Sequence, residues 1–81
     1  MQVYVLVFLS EDINVIGVFD NKDAAIERLI KEAIDWNCYM CPHEREELKE
    51  ELTDVLKDND EFVNCHETGT MWRIETRTIN K

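Results

Sequence analysis

The sequence predicts an α+β fold in the order β-β-α-α-β-β, an antiparallel sheet of about four strands with two helices packed on one face. Three observations carry this. Two runs of β-branched and aromatic residues open the chain, separated by three turn residues. Two central stretches repeat their apolar residues every three or four positions, and the last strand alternates uncharged residues on one face with charged ones on the other. At 81 residues the chain has room for one domain, residues 1–81, and no linker.

The first strand is "VYVLVFL", the second "INVIGVF", with Ser10, Glu11 and Asp12 between them as the turn. The first is apolar at both parities: Val3, Val5, Val7 and Leu9 on one side, Tyr4, Leu6 and Phe8 on the other. Such a strand belongs at the centre of the sheet or has its second face covered by another subunit. Asp20 and Asn21 are N-cap residues for a helix running from about residue 22 to Trp36, with Ile26, Leu29, Ile30, Ala33 and Ile34 as its apolar stripe. Pro42 suits the first position of a second helix, where its missing N–H costs nothing. Leu48, Leu52, Val55 and Leu56 form that helix's stripe, and "KDNDE" ends it. A second hairpin follows, turning at Thr68-Gly69-Thr70. In its last strand Trp72, Ile74, Thr76 and Thr78 share the buried face, while Arg73, Glu75 and Arg77 form a solvated ladder of alternating charge.

An apolar fraction of 44% is that of a folding protein, though a chain this short buries only somewhat over ~60% of its unfolded surface and gains from any supplement to its core. The run ending at Leu9 lacks the basic start of a signal peptide and falls short of the ~20 residues of a membrane span, so the expected location is cytoplasmic. Eighteen acids against nine bases give a net charge of -9, which disfavours direct binding to nucleic acid or membrane and favours a basic protein partner. Catalysis is not expected. Only Gly17 and Gly69 exist to build a phosphate loop, no histidine lies at a familiar spacing from a nucleophile, and a ~300 Å³ pocket would hollow so small a core.

"DWNCYMCPHE", residues 35–44, holds two of the three cysteines and one of the two histidines. With Cys65 and His66 it gives a candidate zinc set of Cys38, Cys41, His43 and Cys65, since a C-x-x-C knuckle supplies two ligands from one turn. Three features oppose it. Tyr39 and Met40 replace the Gly or basic residues of common knuckles, Cys65 and His66 point to opposite faces if on a strand, and no second paired motif follows. Cys41, at a helix start, is also a candidate reactive thiol, although its order relative to the helix reverses that of thioredoxin-like motifs. The plainer expectation is no cofactor: Cys38, Tyr39 and Met40 fill the seam between helices, Cys65 shares an inward parity with Val63, and the histidines lie at the surface.

From Glu44 to Glu61 there are nine acids and three bases, so two-thirds of the net charge sits on about a fifth of the length. Glu46, Glu47, Glu50, Glu51, Asp54 and Asp58 are the candidate partner-binding residues. Along one helix face they present negative charge much as a nucleic-acid backbone does, and would steer a basic groove toward it. The alternative is an outer face kept soluble by charge, on a zinc-stapled or homodimeric scaffold module.

The stretch "VYVLVFLSEDINVIGVFDNKDAAIERL", with "MWRIETRTIN" near the other end, resembles small phage and prophage proteins. These open V-Y-V, continue I-x-G-V-F into a helix, and close with an aromatic strand rich in Ile and Thr. The similarity covers residues 3–30 and 71–80 and describes a scaffold, so it transfers no site residue. What it implies is an accessory protein, often an inhibitor of host defence or nucleic-acid machinery of the anti-CRISPR or anti-restriction kind, acting in the host cytosol.

Overall fold

A computed structural model of the chain describes residues 1–37, 40–65, 67 and 69–79. Its elements are β1 (Gln2–Leu9), β2 (Ile13–Phe19), α1 (Lys22–Trp36), α2 (Pro42–Asp58), β3 (Glu61–Cys65) and β4 (Thr70–Thr78). The four strands form one sheet in the order β2-β1-β4-β3, every neighbouring pair antiparallel. β1 is therefore central, as its two apolar parities require.

Both helices lie on one face. Leu6, Trp72 and Ile74 from the sheet meet Ala25, Leu29 and Ala33 of α1 and Leu48, Leu52 and Leu56 of α2 in a single core. The α1 stripe is centred one residue away from expectation. Ala25 and Ala33 flank Leu29 at full burial, while Ile26, Ile30 and Ile34 are half-buried at the margin. Small residues at the contact line let the helix approach the sheet closely, and the larger isoleucines close the sides.

Each helix begins as its sequence dictates. Asn21 Oδ1 accepts the Ala24 N–H at 2.8 Å, capping α1, and Pro42 occupies the first turn of α2 with Cys41 as its N-cap. Gly69 carries the β3–β4 turn with a φ of 72°, a left-handed conformation that a side chain resists; Thr68, the first residue of the expected turn, lies outside the described residues. Gly17 is small for a different reason: a Cβ there would come within 3.1 Å of the Phe19 ring, which folds over it.

The second hairpin differs from expectation in parity. Phe62, not Val63, faces the core: it pairs with Trp72 and stacks on it at 6.4 Å, while Val63 pairs with Met71 on the opposite face. The register then shifts between Val63 and Cys65, so counting in twos along the strand does not carry through it. The inward parity expected for Val63 and Cys65 together is thus corrected.

Candidate partner-binding face

Leu48, Leu52 and Leu56 recur at four-residue spacing and fix which side of α2 turns inward. At 3.6 residues per turn, Glu46, Glu47, Glu50, Glu51, Asp54 and Asp58 fall within an arc of about 140° on the opposite side. All six are exposed. Glu46, Glu50, Asp54 and Asp58 form one row at four-residue intervals, about 6 Å apart along the axis and about 18 Å end to end. Glu46, Glu50 and Asp54, with Lys49 and Thr53, border a shallow depression of about 350 Å³.

Among the described residues, two basic side chains lie against these carboxylates. His43 Nε2 lies 2.9 Å from Glu47 Oε1, and Lys57 Nζ lies 3.6 Å from Asp54 Oδ1, both within α2 and both well exposed. Pairs of that kind hold little energy, so they leave the row open to a stronger cation from outside.

Of the candidate zinc set, Cys41 and His43 lie together at the start of α2 and Cys65 lies at the end of β3. Cys41 is exposed at the start of α2, with Sγ 3.2 Å from Glu44 Oε1. His43 is turned toward Glu47, and Cys65 ends β3. Among the described residues no three His, Cys, Asp or Glu side chains gather as a metal site would need, and Cys38, the fourth member, lies outside them. Met40 packs against the core as seam filling, whereas Cys38, Tyr39 and His66 lie outside the described residues.

No protein-family model, curated protein or solved structure matches the chain. The site therefore has to be read from its own chemistry.

Two concave features escaped the sequence reading. A groove of about 550 Å³ runs between the helices, floored by Ile30, Ile34 and Pro42 and edged by Lys31, Arg45 and Lys49 against Glu27, Asp35 and Glu46. The expectation that a ~300 Å³ pocket would hollow the core is corrected here, because two helices side by side leave a furrow at the surface without removing anything beneath it. The spacing of Arg45 and Lys49, four residues apart on the flank of α2, was its one sequence signal. A second hollow of about 310 Å³ lies beside Trp36, which is 52% exposed and packs against Phe8 in a tilted pair with ring centroids 5.0 Å apart.

Proposed function

We propose that this protein is a non-enzymatic accessory protein of phage type that binds a basic surface of a host protein, an inhibitor of the anti-CRISPR or anti-restriction kind. The observation that carries this reading is the placement of Glu46, Glu47, Glu50, Glu51, Asp54 and Asp58 on the side of α2 facing away from the core, all of them exposed. Six carboxylates on a rigid helix resemble a short run of phosphates in charge and in spacing. A groove shaped to hold nucleic acid would accept them, drawn first by long-range attraction and then held by Arg–carboxylate pairs.

No membrane or nucleic acid is invoked as a direct partner, because the net charge of -9 repels both. No helix is long and apolar enough to cross a membrane, and the host cytosol is the compartment where such a target lies. Zinc has no part in this reading.

The test is capture from host lysate at low and high salt with the native chain and a Glu47→Lys/Glu50→Lys/Asp54→Lys variant. The native chain should retain a basic protein at low salt and release it at high salt, and the variant should bind at least about tenfold more weakly. Retention of the partner by the variant with unchanged salt dependence sinks the proposal. A second reading, a homodimeric scaffold, is favoured by the sheet face that the helices leave open.

A further inference from the structure

We infer that two copies of the chain associate back to back through the open face of the sheet. On this face Val3 and Val7 of β1 are only 8% and 5% exposed although no helix covers them. Register accounts for it: Arg77 and Arg73 of β4 stand directly opposite, and side chains with stems of that length cover apolar neighbours. Toward β2 that cover ends. Val15 and Val18 pair with Val7 and Val5 and are 62% and 60% exposed. The apolar area left open on this face is therefore mainly that of β2, Val15 and Val18, with the half-buried Val5 beside them.

Charge selects the occupant. The strands carry just four charged residues, Glu61, Arg73, Glu75 and Arg77, and all four lie on this face. Two of each sign make the face locally neutral in a molecule of net charge -9. Arg73 pairs with Glu61 at 3.3 Å and Arg77 with Glu75 at 2.6 Å, so the ladder presents both signs in alternation. A basic partner finds nothing to attract it here. A second copy does: a two-fold axis requires a self-complementary patch, an alternating ladder supplies one, and the acidic α2 helices then point away from each other.

Area agrees. Four strands spaced ~4.8 Å and about 25 Å long project to roughly 480 Å², and side-chain relief raises this toward the ~800 Å² that each partner gives to a standard interface. Association by the edges is opposed at both sides of the sheet. β2 is bulged opposite Leu6 and Val7, and β3 is five residues long, begins with Glu61 and shifts register before Cys65. The face thus remains, with two sheets stacked ~10 Å apart.

Sedimentation velocity over about a hundredfold range of concentration tests this, with the melting temperature followed over the same range. The expected species has twice the 9.6 kDa of one chain, with a melting temperature that rises with concentration. Val18→Glu and Val5→Glu should each weaken association at least about tenfold, because each would bury a charge against the facing copy. Circular dichroism separates lost association from lost fold, and Val5→Thr keeps the branched shape should Val5→Glu fail to fold. A chain that stays monomeric throughout overturns the inference. So does a dimer that tolerates the Val5 substitutions and yields only to Val18→Glu, which would mark pairing along the β2 edge. The α2 charge-reversal variant should keep the dimer mass, so this result stands or falls apart from the acidic-face reading.

Discussion

Asn37 is a buried polar residue that links a helix to the sheet. Its backbone N–H and its Nδ2 both reach the Ala33 carbonyl, at 3.1 and 2.7 Å, and Nδ2 also donates to Asn64 Oδ1 at 2.9 Å. One residue therefore ends α1, gives the Ala33 carbonyl a second donor from its side chain, and ties the helix end to β3. Asn37→Ala should cost about 1–3 kcal/mol, since Asn64 loses a partner in a partly buried place. Urea denaturation of native and variant chains gives the difference directly. The sequence marked Asn37 only as an interruption, because its distant partner is 27 residues away on a strand whose register shifts there. Pro42, by contrast, was legible from the chain: its effect is local, and no distant contact is needed to place it at the start of a helix.

At the scale of elements, the two helices and both strands of the first hairpin could be read directly, because periodicity and caps act within a few residues. The outward placement of the α2 carboxylates followed for the same reason, since a leucine stripe on α2 dictates where they point. What could not be read were features made by pairing, namely the parity of β3 and the furrow between the helices. Asp60 shows how elements are joined. Its carboxylate lies 2.8 Å from Lys22 Nζ at the start of α1, and its carbonyl accepts the Ile74 N–H at 2.7 Å. The hydrogen bond that Lys22 donates to the Asp60 carboxylate raises the Lys22 pKa above its ordinary value, against an opposing effect of burial. A raised folded-state pKa means that the contribution is fully present below the unfolded pKa and is lost as pH rises through the folded one. Stability should thus decline on the alkaline side, and Lys22→Met should flatten that decline. Thermal melts from neutral pH upward check this.

For the whole molecule, net charge matters more than any single pair. The ion pairs among the described residues are all substantially exposed and individually weak, whereas a net charge of -9 on 81 residues resists compaction throughout. Screening should relieve that resistance. Raising sodium chloride from about 20 to about 200 mM, across which the Debye length falls from roughly 20 Å to under 10 Å, should raise the melting temperature. A fall would mean that the surface pairs outweigh the repulsion.

The pairing of β1 with β4 places residues 2–9 beside residues 71–78, and Ile79 N donates to the Met1 carbonyl at 2.8 Å just beyond the ladder. The two hairpins can each close early over short loops, but the central seam that joins them must close a loop of about 60 residues, which costs more entropy than either hairpin. Bringing the two hairpins together is therefore the costliest closure in the chain. Until it occurs both β1 and β4 hold an open edge, so the long-range seam at the centre of the sheet sets how long the growing chain stays exposed to mispairing.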